Sequence, residues 1–202
     1  MNPWMVSVDL GQASDYTAIS IASKSPCQVV RLERPELGTS YMAIAARVGA
    51  IVRSPALSLG VDLLIDATGV GRPVVELIRQ ACHGVPVRLV PILITGGAHV
   101  TRDDKGFWHV PKPVLVASLQ VALQEQTLSI VKTLPMSSIL AKEMQTFQMQ
   151  IRTSGATSFE ALRTRDHDDL VLAVAQQAWW MARQRPTSVA FKCEMVKSSY
   201  SC

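Results

Sequence analysis

Four aspartates at three places in the chain carry its strongest chemical signal: Asp9, Asp66, and the adjacent Asp168 and Asp169. Asp9 falls near the end of the apolar run from Trp4 to Leu10, just before Gly11. Asp66 closes the run from Val61 to Ile65 and precedes the turn Ala67-Thr68-Gly69-Val70-Gly71. Acidic residues are depleted in strand interiors, so each reads either as a turn residue or as a group aimed off the end of a sheet. Taken singly, the turn reading is the commoner one. The third site changes the balance. His167-Asp168-Asp169 stands directly before a long apolar helical pattern, where Asp also serves as an ordinary N-cap. A helix that includes Asp168 puts it in line with Val171, Leu172, Ala175, Ala178, Trp179 and Ala182, the face that packs on a sheet. Asp169, about 100° round the axis, shares its stripe with Gln176 and is expected nearer the rim. A carboxylate turned toward a core needs compensation, and a cation supplies it. Oxygen ligands from two strand ends and one helix suit Mg²⁺ or Mn²⁺. Two such ions about 3.5–4 Å apart can activate water and stabilise a leaving oxygen in phosphodiester hydrolysis. Spacing alone does not bring the three sites together; topology must.

The elements that would do so follow from periodicity. Trp4 to Leu10, Tyr16 to Ala22 and Gln28 to Glu33 are short apolar-rich runs separated by turn residues, the pattern of an antiparallel meander. Tyr41 to Val52 has helical spacing, with Ser40 placed to cap it. Val61 to Ile65 and Val87 to Ile94 read as strands buried on both faces. Arg72 to Cys82 reads as a helix, with Pro73 in its first turn and Gly84 past its end. Gly96 to Val110 is hairpin-like, with its tip at Asp103-Asp104 and Gly106 helping the turn. Helices are expected over Val114 to Gln126 and Ser137 to Gln150, a strand over Thr157 to Leu162, and a last helix from Asp168 to about Arg183. Residues 1–183 are expected to form one domain and residues 184–202 a tail.

Composition bounds the rest. The 202 residues are 48% hydrophobic, enough for a real core, and the net charge of +4 permits an anionic partner without demanding one. Four separated cysteines show neither zinc-site spacing nor a disulfide framework, so a reducing compartment is expected. No apolar run reaches the roughly 18–20 residues of a membrane span, and the N-terminus has no secretory-signal pattern. No G-x-x-x-x-G-K-[ST] segment is present, which argues against ordinary ATP hydrolysis, and Gly69-Val70-Gly71 does not extend to a dinucleotide fingerprint because position 74 is Val.

Three segments carry a family resemblance. Val6-Ser7-Val8-Asp9-Leu10-Gly11 with Asp15-Tyr16-Thr17-Ala18 resembles the opening of phage terminase large-subunit nuclease domains. Leu64-Ile65-Asp66-Ala67-Thr68-Gly69-Val70-Gly71 is similar to their second acidic motif, and His167-Asp168-Asp169-Leu170-Val171-Leu172-Ala173 to their third. Gly106-Phe107-Trp108-His109-Val110-Pro111-Lys112 also resembles a segment of terminase-like phage proteins. The resemblance spans roughly residues 5 to 182. It implies an α/β, RNase H-like mixed sheet, a three-strand antiparallel meander plus parallel strands, flanked by helices and carrying an inserted β-hairpin. It implies metal-dependent endonucleolytic cutting of double-stranded DNA during genome packaging in the bacterial host cytoplasm, with two Mg²⁺ or Mn²⁺ ions held by Asp9, Asp66, Asp168 and Asp169. A complete large subunit also carries a packaging ATPase with a P-loop. This chain opens almost at the first nuclease strand, so a separated nuclease domain or a stand-alone gene product is expected. A packaging ATPase domain, small terminase subunit or portal would then be partners, and a membrane would not.

For phosphate contact the expected residues are Arg72, Arg102, Lys105, Lys112, Arg163 and Arg165, which would give affinity without sequence choice. Two other readings stay open: a junction-resolving nuclease of the same fold, and a non-catalytic DNA-binding or packaging module.

Overall fold

The computed structural model describes residues 2–11, 15–154 and 168–184. The expected strand Thr157 to Leu162, Arg163, Arg165, His167 and positions 185–202 lie outside the described residues. The chain runs β1 (Trp4–Asp9), β2 (Ala18–Lys24), β3 (Cys27–Glu33), α1 (Tyr41–Val52), a 3-10 turn (Pro55–Leu57), β4 (Val61–Asp66), α2 (Gly71–Ala81), β5 (Val87–Thr95), β6 (Thr101–Arg102), β7 (Trp108–Pro111), α3 (Lys112–Gln124), β8 (Ser129–Ile130), α4 (Ser137–Ser154) and α5 (Asp169–Gln184). One sheet of eight strands has the order β6-β7-β5-β4-β1-β2-β3-β8. The meander β1-β2-β3 is antiparallel; β4 joins β1, and β5 joins β4, in parallel. This is the mixed sheet expected from the sequence. The added strand β8, two residues pairing in parallel with β3, is too short to leave a periodic signal.

Alternation divides the sheet into two cores. Val6, Val8, Ile19, Ile21, Leu63 and Ile65 pack with α1 and α2 on one face; Met5, Ala18, Ala22, Leu64 and Ile92 pack with α3, α4 and α5 on the other. Ser40 caps α1 as its sequence position suggests, accepting from the Ala43 N–H at 3.3 Å. Because side chains alternate along a strand, Asp9 and Asp66 share the face of Met5 and Leu64, which is the face α5 covers.

The run Val61 to Ile65 is less apolar than its periodicity suggests. Asp62 stands within it, fully buried, and accepts hydrogen bonds from Asn2, Arg88, Trp180 and Gln184, with Lys24 as an ion-pair partner. A second polar layer ties α5 to the meander. Ser7 and Ser20 are register partners on β1 and β2. They donate to Gln176 Oε1 at 3.1 Å and to Gln177 Oε1 at 2.9 Å, and all four side chains are buried. Gln176, expected near a rim, is therefore among the most enclosed residues of the helix.

Candidate metal centre

Asp9 and Asp66 end neighbouring parallel strands and are direct register partners. The chain leaves each strand through a turn built for close quarters. After β1, Gly11 lies so near the returning backbone that a Cβ would meet Asp15 O at 2.2 Å, and its N–H donates to Thr17 Oγ1. After β4, the Thr68 N–H donates to Asp66 Oδ1 at 2.8 Å, while Thr68 Oγ1 accepts from the Ile94 N–H at 2.7 Å. Gly71, at φ +69°, then opens α2. Asp66 is thereby held by its own turn, pointing over the ends of β1 and β4.

The two carboxyls are buried, each about 7% exposed, and stand in hydrogen-bonding contact. Burial pushes Asp9 well above the usual carboxylate range, and the adjacent Asp66, then Asp169 and Asp168, push it further. Burial also raises Asp66, partly offset by its contacts with Asp9 and Thr68 and by the charge of Lys112. Two carboxylates so placed repel unless a proton or a cation lies between them.

The third acidic site arrives at the start of α5, and the burial of its two aspartates is the reverse of the helical-phase expectation. The helix begins at Asp169, and Asp168 precedes it, its carbonyl accepting the first helical hydrogen bond from the Leu172 N–H. Asp168 is partly exposed and accepts from Lys112 Nζ at 2.6 Å. Asp169 is the buried one, at 6% exposure, with an Arg34 guanidinium nitrogen 3.5 Å away. Burial pushes Asp169 up to about 7; Arg34 opposes that shift, and Glu143, Asp168 and Asp15 add to it. The phase expectation failed because it began the helix one residue early and took Gln176 as a mark of the exposed side.

Two residues here had no role in the sequence reading. Glu143, on α4, is buried and pairs with Arg34. Its other carboxylate oxygen accepts from the Leu170 and Val171 N–H groups at 3.1 and 3.3 Å, so it caps α5 from another helix. Arg34 also lies over the Tyr16 ring at 5.0 Å. A lone Glu in an amphipathic helix carries no signal of this; only its distance from α5 in space reveals it. Lys112, expected at phosphate, donates to Asp168 Oδ2.

The donor set fits a hard divalent cation in chemistry: buried carboxylate oxygens on adjacent strands, raised chiefly by their burial, with Asp66 and Asp169 felt electrostatically at Asp9. Among the described residues, no three His, Cys, Asp or Glu side chains are already drawn into one group that could hold an ion. Asp168 and Asp169 are instead engaged by Lys112 and Arg34. Of the expected phosphate contacts, Arg72, Arg102 and Lys105 are exposed near α2 and the β6–β7 hairpin. Among the described residues no helix is long and apolar enough to cross a membrane.

No protein-family profile and no curated protein matches the chain by sequence. Solved structures do match it in shape. The nuclease domain of the large terminase subunit of bacterial virus Sf6, with manganese and beta-thujaplicinol, superposes with a TM-score of 0.62 at 12% identity, covering 87% of each chain. The large terminase nuclease of thermophilic phage G20c with bound magnesium gives 0.59 at 17% identity, covering 88% of this chain and 80% of that one. The manganese-soaked terminase nuclease domain of human cytomegalovirus gives 0.50 at 16% identity, over 88% and 82%. The sheet order, the two flanking helical layers and these superpositions together give the chain the RNase H-like fold of terminase large-subunit nuclease domains.

Proposed function

We propose that this chain is a metal-dependent endonuclease that cuts double-stranded DNA during phage genome packaging. The observation that carries the reading is the register pairing of Asp9 with Asp66, two buried carboxylates held in contact where α5 delivers Asp169. Asp9, Asp66 and Asp169 would hold two Mg²⁺ or Mn²⁺ ions, with Asp168 as an outer contributor. Bound there, the ions would supply a hydroxide nucleophile and offset charge on the scissile phosphate. That structures sharing this fold hold magnesium or manganese supports the choice of ion.

The protein's own groups prepare the site. The Thr68 N–H fixes the rotation of the Asp66 carboxylate. Glu143 and Arg34 anchor the first turn of α5 and so set where Asp169 stands. Lys112 donates to Asp168 and holds its carboxylate in place. The apolar layers beneath exclude bulk water from the inner side of both carboxylates, which strengthens every charge interaction above them.

A plasmid-nicking assay with Mg²⁺, Mn²⁺ and chelator tests the reading. Wild-type protein is expected to convert supercoiled plasmid to open-circle and linear forms with either ion and not with chelator. Asp66→Asn at equal folded concentration is expected to be inactive; wild-type cutting by that variant would remove Asp66 from the site. A strong preference for four-way junctions over linear duplex would transfer the activity to junction resolution.

A further inference from the structure

Helix α3 carries more apolar surface than the fold covers. Between its end residues Lys112 and Gln124, only Ser118 and Gln120 are polar, yet of its side chains Leu115 and Leu119 alone are buried. A helix laid on a sheet ordinarily has one apolar stripe and a polar back. Here a second stripe, Val114, Ala117 and Val121, runs beside the first at helical spacing. Val121 is 47% exposed. The stripe faces Ala178, Met181 and Ala182, on the last turns of α5, across a mainly apolar groove of about 330 Å³.

The chain supplies a matching segment at the edge of that groove. Helix α5 ends at Gln184, two residues past Ala182. The proline at position 186 lacks the N–H that would carry the helix on. Beyond it, Val189, Phe191, Cys193 and Met195 alternate with Ala190, Lys192 and Glu194. In an extended segment that alternation gathers the first set on one face and the charges on the other. Such a face is stabilised only when another apolar surface covers it.

Reach and tether both fit. The five steps from Gln184 to Val189 span at most about 16–18 Å at ~3.3–3.6 Å each. Val114 and Val121 stand about 10 Å apart along α3 at ~1.5 Å per residue. Phe191 can therefore arrive anywhere along the stripe. A linker this short holds its segment at an effective concentration on the order of millimolar, so modest apolar contact is enough to dock it. Lys112 opens α3 and meets Asp168, which leads into α5. A segment laid along the seam thus braces the two helices that frame the third acidic site.

We propose that the groove between α3 and α5 is the docking site of this chain's own residues 189–196, with Phe191 seated against Val121 and Met181. Docking uses no residue of the acidic site, so it stands or falls apart from the nuclease reading.

The test is limited trypsin digestion of the full chain, read by mass spectrometry at Lys192 and Lys197, with a melting temperature for every variant. Each rate is divided by that of the free peptide 185–202 bearing the same residues. Wild type is expected to be cut at least about tenfold more slowly than its peptide, because cutting tracks the population of the open form. Phe191→Asp, a change in the segment itself, and Val121→Asp, on the exposed wall, are each expected to bring the rate within about twofold of the peptide. Gln120→Asp, exposed on the same helix but off the groove, is expected to keep wild-type protection. Digestion at ~1 and ~100 μM shows whose segment is docked, and equal protection at both marks the chain's own. Protection lost on dilution would assign the groove to the segment of a second copy and overturn the proposal. Wild-type cutting at the peptide rate would overturn it as well and leave the groove to a separate partner. Protection kept in both Asp variants would place the segment elsewhere on the molecule.

Discussion

Asp62 and Asp66 lie at opposite ends of the same strand, on the same face and both buried, and their environments are opposite. Burial alone would raise both. At Asp62 it is overcome by hydrogen bonds from Arg88, Lys24, Trp180 and Asn2, which hold the carboxyl well below its usual range. At Asp66 the contacts with Asp9 and Thr68 and the charge of Lys112 offset burial only in part, and the group stays above its usual range. The satisfied carboxylate ties β2, β4, β5 and α5 together at one end of the sheet. The under-compensated one stores an electrostatic need at the other end. Burial is common to the two carboxyls; how far their neighbours offset it is what separates them.

The largest expected effect separates these roles in activity. Asp9→Asn and Asp66→Asn should lower cutting by about 10²–10³-fold or more, the scale on which loss of one electrostatic stabiliser acts. Their metal-free melting temperatures should hold or rise, since a repulsion has been removed. A clear fall in melting temperature would make Asp66 structural, like Asp62.

Next comes stability. Asp62→Asn leaves the charges of Lys24 and Arg88 without their carboxylate and should destabilise by about 3–5 kcal/mol, the usual result of breaking a buried pair. Urea unfolding measures it, and cutting by the still-folded protein should persist. A loss below about 1 kcal/mol would mean that the cluster contributes little beyond one ordinary hydrogen bond.

The pH response should have opposite signs at the two ends. Asp62 has a depressed value, so its contribution is complete above the unfolded carboxylate range and is lost as pH falls through the folded value. Asp169 is raised to about 7. Between pH ~4 and 7 the folded protein therefore binds the extra proton, and metal-free stability should fall as pH rises through that window. Melting curves in chelator from pH 5 to 7.5 should show the decline, and Asp169→Asn should flatten it. An unchanged slope in that variant would place the titration elsewhere.

The smallest difference lies within the third site. Asp169→Asn should reduce cutting more than Asp168→Asn, because Asp169 is the buried member and Asp168 is steadied by Lys112. Parallel assays across a Mn²⁺ titration measure it, and the reverse order would restore the role that helical phase assigns to Asp168.

Local pattern was enough to read much of the fold. The three meander strands alternate, α1 carries Ser40 at its cap, and β4 and β5 are runs with turn residues at their ends. Each signal sits within a few residues of the element it specifies. The acidic positions were legible for the same reason: an Asp closing an apolar run, or preceding an apolar helix, is a local oddity.

What the pattern could not carry is which groups meet through space. Asp62 and Asp66 both occur in Val-Asp-Leu-Leu-Ile-Asp, and nothing within that stretch separates them. The difference comes from Trp180, 118 residues away from Asp62 in the chain, and from Asp9 on the neighbouring strand. Glu143 reaches the first turn of α5, Lys112 turns to Asp168, and Gln176 is enclosed because Ser7 faces it across the sheet. The sequence by itself determined the elements and the places where charge interrupts them, because backbone propensity and side-chain periodicity are short-range. Only the tertiary structure decided which charges are neutralised and which are left to bind something else, because that depends on partners supplied from distant parts of the chain.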